Sequence, residues 1–149
     1  MKKVSVRQAI LNNCKETLRR ILILERGERC ELCRKPAHVG LFHILPVGQY
    51  PRIQLYKQNI LLAGWFCCHY PWHHDPHQKD RIEANIKRLR GENYLQDLKN
   101  LNVIARKMTM TEIRMYQAAL SQELKMTTSG ELTRPHKNAG SGSPVESTQ

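Results

Sequence analysis

The sequence predicts an α+β fold, in which a small metal-binding core lies between an N-terminal helix and two or three C-terminal helices. Two observations predict this architecture. Apolar residues recur at helical spacing near both ends of the chain, and short apolar segments typical of strands lie between them. A third observation concerns the same middle region: cysteines and histidines are concentrated between residues 30 and 74. Zinc prefers thiolates and imidazoles as ligands, so we expect a metal site there.

The length of 149 residues fits a single domain. We predict a folded domain over residues 1–126, with the metal-binding core at about 28–78. Residues 127–149 are mainly Thr, Ser, Gly, Pro and Asn with few apolar residues, so we expect a disordered tail.

The N-terminal helix is predicted over residues 6–26. Ser5-x-x-Gln8 has the form of a capping box, and Gly27 is a typical stop. Cys14 lies on the apolar side and is expected to be a small buried residue. The polar side carries basic residues, among them Arg19 and Arg20, which form either a solvated face or a ridge that binds phosphates.

Residues 29–36 resemble a zinc knuckle, a tight turn whose N–H groups point at thiolates. A strand is predicted over residues 39–45, and residues 60–63 form a buried apolar run. Residues 53–56 alternate weakly. Two short strands joined by a loop fit this region.

Proline is tolerated in the first turn of a helix, so a helical turn is predicted to start near Pro71 and to carry 72–74. Asp75-Pro76 begins a further helix that ends at Gly91, and Thr109-x-x-Glu112 is a capping box that begins the last one. The helix between these two is predicted from apolar residues at helical spacing: Tyr94, Leu98, Leu101 and Ala105.

The charge of the chain favours a nucleic-acid partner. The net charge is +11 and the pI is near 9.7, and a basic surface attracts polyanions, of which nucleic acid is the usual one and acidic lipid the competing one. No run of about 18 apolar residues could span a bilayer, and the basic start lacks the apolar segment of a signal peptide. We therefore expect a cytoplasmic protein without a membrane partner; the oligomeric state is not predicted.

The cysteine pattern favours metal binding over disulfides or redox chemistry. Five cysteines are an odd number, and a redox Cys-x-x-Cys would need a βαβ pattern that is not seen. Haem attachment needs a histidine directly after the pair, where Arg34 stands. We expect Cys30 and Cys33 to bind zinc with Cys67 or Cys68 and one nearby histidine. A Cys-x-x-Cys counted back from residue 67 or 68 would start at Gly64 or Trp65, so we expect three thiolates at most, or two thiolates with an imidazole.

The order of these residues carries a family resemblance. Cys30-x-x-Cys33 is followed by His43 near a strand end, then Asn59, then Cys68-His69 near a short helix. This segment resembles the HNH family of endonucleases, in the branch whose ββα-metal core is stabilised by cysteine pairs. The resemblance covers about residues 28–78, and the letters of the family name fall on His43, Asn59 and His69.

The resemblance implies a one-metal cleavage of DNA. His43 would take a proton from water, and Asn59 would hold its imidazole in one tautomer and orientation. His69 and His73 stand four residues apart and would bind the catalytic cation, with His74 as the alternative to His73. Magnesium or manganese would be usual, and nickel or zinc also suits imidazole ligands. Such small HNH proteins occur in bacteria and in phages.

Phosphate contacts are predicted for five basic residues of the first helix and of the 79–90 helix: Arg19, Arg20, Lys79, Lys87 and Arg88. Trp65 and Trp72 are expected to pack around the metal.

Phe42 stands where many HNH sites place a further metal ligand, directly before the catalytic histidine. This residue favours an alternative function, a catalytically inactive, zinc-stabilised module that binds nucleic acid. A zinc-built adaptor for protein partners is a third possibility, and it predicts no salt-dependent affinity for DNA.

Overall fold

The computed structural model describes residues 4–102, 104 and 106–130. Within these residues the chain is an α+β protein with five α-helices and a two-stranded antiparallel sheet, as predicted at the level of fold class. In chain order the elements are α1 Val6–Arg26, β1 Val39–His43, β2 Ile60–Gly64, α2 Tyr70–His74, α3 Pro76–Arg90, α4 Tyr94–Leu101 and α5 Met110–Thr128.

The sheet lies between two helical layers. The register pairs Val39 with Gly64 and His43 with Ile60. Every residue of β2 is buried because one face of the sheet packs against α1 and α5 while the other packs against α3, α4 and the 30–36 turn. This two-sided burial explains why β2 is apolar throughout instead of alternating with polar residues.

The predicted bounds of α1 are correct. Ser5 Oγ accepts a hydrogen bond from the backbone N–H of Gln8 at 3.2 Å, and the helix ends at Gly27, whose φ of +84° suits glycine. The predicted capping box is only half formed, because the Gln8 side chain donates to Asn12 instead. Cys14 is fully buried, as expected.

The C-terminal helices also begin and end near the predicted residues. Gly91 ends α3 with a φ of +91°, and both hydrogen bonds of the Thr109–Glu112 capping box are formed at the start of α5. The helix α5 continues to Thr128, just beyond the predicted start of the tail. Ala105 and residues 131–149 lie outside the described residues.

The strand predicted over residues 39–45 ends at His43. The chain then turns into a loop that contains a 3₁₀ turn, Pro51–Ile53, in part of the weakly alternating segment. A second 3₁₀ turn, Lys57–Asn59, leads into β2. None of the described helices is both long and apolar enough to cross a bilayer.

Candidate metal centre and histidine site

Four cysteines converge beside the sheet. The sulfur atoms of Cys30, Cys33, Cys67 and Cys68 all lie within 4.8 Å of one another. Zinc–sulfur bonds of about 2.3 Å in a tetrahedral site place the sulfurs about 3.8 Å apart, so the cluster matches the size of a zinc site. The four side chains could therefore hold a structural metal such as zinc.

The first pair of sulfurs is supplied by a tight turn. The N–H of Cys30 donates to Lys35 O at 3.0 Å, and the N–H of Arg34 donates to Cys30 O at 2.7 Å. Arg34 adopts a left-handed conformation with a φ of +65°. This turn brings Cys30 and Cys33 to one side of the chain, as the comparison with a zinc knuckle predicts.

The second pair of sulfurs comes from adjacent residues, which corrects the expectation of at most three thiolates and one histidine. A π-helical turn, Trp65–His69, follows β2 directly. Within it both Cys67 and Cys68 approach the Cys30–Cys33 pair, and no histidine of the described residues joins the cluster. The sequence gives no spacing rule for a wide turn of this kind, because such turns are rare.

Gly64 makes room for this arrangement. A Cβ atom at residue 64 would lie 2.7 Å from Cys67 Sγ and 2.9 Å from Ala37 Cβ, which is closer than real contacts. The position at which a Cys-x-x-Cys pattern would place a cysteine therefore has no space for a side chain. Cys67 Sγ occupies that space instead.

The cluster has an uneven affinity for protons. A hydrogen bond from the Cys68 thiol lowers the pKa of Cys30 to about 4. Burial raises the pKa of Cys67 to about 11, and the same bond to Cys30 raises the pKa of Cys68. A bound cation would favour the deprotonated form of all four sulfurs, because metal binding releases thiol protons.

His43 lies at the end of β1, and a backbone contact sets the tautomer of its neutral ring. Its Nε2 atom is 2.9 Å from Gln54 O, and a carbonyl oxygen can only accept a hydrogen bond. The neutral ring therefore carries its proton on Nε2 and keeps a lone pair on Nδ1. Burial lowers the pKa of His43, and the charges of Lys15 and His69 lower it further, although the Gln54 carbonyl opposes them.

Asn59 is fully buried, but its partner differs from the predicted one. Its Oδ1 accepts from the N–H of Leu45 at 2.8 Å, and its Nδ2 donates to Leu45 O at 3.1 Å. Both ends of the amide are thereby used by the backbone that follows His43. Asn59 fixes the loop after β1, whereas Gln54 O contacts the imidazole.

His69 and His73 are neighbours on a continuous helical run formed by the π-helical turn and α2. Their ring centroids are 5.4 Å apart, so Pro71 does not interrupt the helical spacing between them. Burial, followed by the charge of His73, lowers the pKa of His69. Both effects favour the neutral ring, which is the form that binds metals.

Within the described part of the chain, the predicted cation ligands His69 and His73 do not belong to a larger group of potential metal ligands. Among the described residues, the four cysteines form the one group in which three or more potential ligand atoms lie within 4.8 Å of one another. The buried ring of Phe42 packs against His69, with centroids 5.5 Å apart, and against Trp72, at 5.8 Å. An aromatic ring thus lies beside the His69–His73 pair.

Lys15 is a residue of this region that the sequence did not single out. It is half-buried on α1, its pKa is lowered by burial, and its charge reaches His43. No ion pair among the described residues neutralises its ammonium group. The signal in the sequence is weak, because Lys15 is one of several basic residues on the polar side of α1.

The predicted phosphate contacts divide into two groups. Two of the residues already have partners within the protein. Arg19 links α1 to β1, since its Nε donates to Val39 O at 2.7 Å, and the ammonium group of Lys87 lies 3.6 Å from the carboxylate of Glu83. Arg20, Lys79 and Arg88 are exposed, and no ion pair of the described residues includes them.

The two tryptophans differ. Trp72 packs against the core beside Phe42, as predicted. Trp65 is 49% exposed, which contradicts the prediction that it belongs to the core around the metal; its ring lies at the surface against His69, with centroids 5.0 Å apart.

No protein-family model, curated protein or solved structure matches the chain.

Proposed function

We propose that the chain is a metal-dependent endonuclease of the HNH type that hydrolyses phosphodiester bonds in DNA. The observation that carries the proposal is the environment of His43. Its pKa is lowered, its Nε2 proton is held by a backbone carbonyl, and its Nδ1 lone pair is left for a proton from water. A neutral imidazole of this kind suits a general base.

The neighbours of His43 supply what cleavage of a phosphodiester needs in addition. The ammonium group of Lys15 would attract the scissile phosphate toward the base, because no carboxylate of the described residues pairs with it. Asn59 acts as a positioning residue that holds the loop following His43.

His69 and His73 would hold a divalent cation, magnesium or manganese or else nickel or zinc, which supplies charge neutralisation at the leaving oxygen. The four cysteines would hold a structural zinc next to them. In this proposal β1, β2 and the helical run from Trp65 to His74 form the ββα-metal core. The exposed basic residues Arg20, Lys79 and Arg88 would contact phosphates along the DNA.

One observation favours a second function, that of a zinc-stabilised module that binds nucleic acid without cutting it. The ring of Phe42 lies beside His69 where a third ligand would strengthen cation binding. With two imidazoles alone, the cation would bind weakly. The basic surface and the cysteine cluster serve this function equally well.

Plasmid nicking separates the two functions. We expect the purified chain to nick supercoiled DNA with magnesium or manganese, and His43→Ala to reduce the rate by about 10²-fold or more. His77→Ala is the matched control, because His77 is an exposed histidine on α3. Cutting that survives His43→Ala would exclude the proposed mechanism. Salt-sensitive DNA binding with no cutting under any of the four metals would establish the binding module, and no DNA affinity at all would leave the protein-binding adaptor.

A further inference from the structure

Two large aromatic side chains are exposed on the turn that carries the second cysteine pair. Phe66 is 88% exposed and Trp65 is 49% exposed. They directly precede Cys67 and Cys68, so the backbone that positions them is fixed by the cysteine cluster. Exposed aromatic rings on a rigid support are typical of binding surfaces.

A groove lies beside these rings. It has a volume of about 370 Å³, and its apolar walls are formed by Trp65, Phe66, Pro36 and Ala37. Lys35 lines the same groove and adds a positive charge. The groove therefore combines a flat apolar surface with a positively charged side chain.

A second, basic pocket lies next to the cysteine turn. It has a volume of about 440 Å³, and its lining includes three guanidinium groups, those of Arg34, Arg81 and Arg88, together with Asn85. Among the described residues, no ion pair includes any of these arginines. Three uncompensated guanidinium groups and a carboxamide match the donor set that binds a phosphate.

The groove and the arginine pocket are lined by consecutive residues of the first cysteine turn. Cys33 and Arg34 line the pocket, whereas the next residue, Lys35, lines the groove. Arg81, which lines the pocket, also donates from Nη2 to the backbone oxygen of Cys67 at 3.3 Å, and Cys67 lines the groove. A single ligand that follows the turn can therefore touch both.

We propose that this face binds an unpaired segment of a single-stranded nucleic acid, with a base stacked on Phe66 and Trp65 and a neighbouring phosphate in the arginine pocket. Aromatic rings stack on bases only where the bases are not paired, and a basic groove follows the backbone. A paired duplex would bring its phosphates to the arginines but would hide the faces of its bases. The inference rests on the proposed function in taking nucleic acid as the ligand, and it adds the form of the substrate.

Binding without catalysis tests this proposal. The zinc-loaded full chain, without added magnesium or manganese, is titrated into labelled oligothymidylate and into a duplex of equal length, and fluorescence anisotropy gives the two affinities. We expect Phe66→Ala to weaken single-strand binding by about 5- to 150-fold, the range for the loss of one stacked base, and to leave duplex binding unchanged. Met115→Ala is the matched control, because Met115 is 67% exposed on α5.

The arginine pocket is tested with a second variant. Arg88→Gln removes one charge from an exposed side chain on α3, and we expect it to weaken binding of the single strand and to lower the salt dependence of that binding. Arg114→Gln on α5 is the matched control, because it removes the same charge from another exposed helical residue. A loss as large for Arg114→Gln as for Arg88→Gln would overturn the role of the pocket.

Three results would overturn the proposal as a whole. The first is an unchanged single-strand affinity of Phe66→Ala, and the second is an equal loss for the single strand and the duplex. The third is binding of phosphatidylserine vesicles that depends on Phe66 while oligothymidylate does not bind, since exposed aromatic and basic side chains also suit an anionic bilayer. If the chain binds single strands but is not a nuclease, nicking will be absent while these affinities remain. The two proposals can therefore fail separately.

Discussion

A backbone contact and burial together decide what His43 can do chemically. The hydrogen bond from Nε2 to Gln54 O selects one tautomer, and burial favours the neutral ring. Neither effect follows from the residue type, since an exposed histidine would keep its usual pKa and both tautomers. The sequence identified the residue, whereas the fold supplies the carbonyl group and the burial.

This environment predicts a pH dependence of stability. The pKa of His43 is lowered in the folded chain, so the unfolded chain binds more protons between that lowered pKa and the usual value of about 6.5. The contribution of His43 to stability is therefore complete above pH ~6.5 and is lost as the pH falls below it, by up to about 1.4 kcal/mol per pH unit.

Urea unfolding of the wild type and of His43→Gln between about pH 5.5 and 8 measures this contribution together with its coupling to His69, because groups that do not interact with His43 cancel in the difference between the two proteins. We expect the wild type to lose more stability than the variant on acidification. Parallel curves for the two proteins would contradict the lowered pKa.

Asn59 illustrates where inference from the sequence ends at the scale of one residue. The position of a polar residue before an apolar run could be recognised as significant, and the side chain is fully buried. Its partner, Leu45, could not be predicted, because the two residues meet only when the loop 44–58 folds back on itself. Such a return depends on the loop conformation and has no local signal.

At the scale of elements, the helices were predictable and the π-helical turn was not. The helices α1 and α5 have apolar residues at helical spacing and recognisable first residues, Ser5 and Thr109. The turn Trp65–His69 has no periodic pattern, and it is the element that brings two adjacent sulfurs to one cluster. The ligand set was therefore predicted as alternatives, of which the structure brings both cysteines into the cluster.

The turn makes Gly64 a sensitive position. We expect Gly64→Ala to lower the zinc content and the melting temperature, because the added methyl group would occupy the space of Cys67 Sγ at 2.7 Å. Gly40→Ala is a matched control in the paired strand, since a Cβ there has no neighbour within 4 Å. Zinc per chain and thermal unfolding of both variants test this prediction, and equal zinc content in the two would show that the cluster tolerates the shift.

At the scale of the whole molecule, the core is divided by the sheet into two parts. One part contains Cys30 and Cys68 together with residues from β1, β2, α3 and α4. The other part joins α1 and α5 to the opposite face of the sheet and contains none of the four clustered cysteines. The fold class and the long helices followed from the sequence, but this division did not, because it depends on how β2 is covered on both sides.

Because the core has two parts, we expect removal of a bound metal to destabilise one part more than the other. If the four sulfurs hold zinc, a chelator would remove the charge that compensates for their own, and we expect the 30–36 turn and the π-helical turn to lose protection from hydrogen exchange first. The amides of α1 and α5 should keep most of their protection. Leu18 of α1 and Ile113 of α5 are buried in the part of the core that contains none of the clustered cysteines. Hydrogen exchange with mass spectrometry, before and after chelation and after zinc is restored, resolves the two parts. If α1 and α5 lost protection together with the cysteine turns, the two parts would unfold as one unit, and zinc would stabilise the entire domain instead of one side of it.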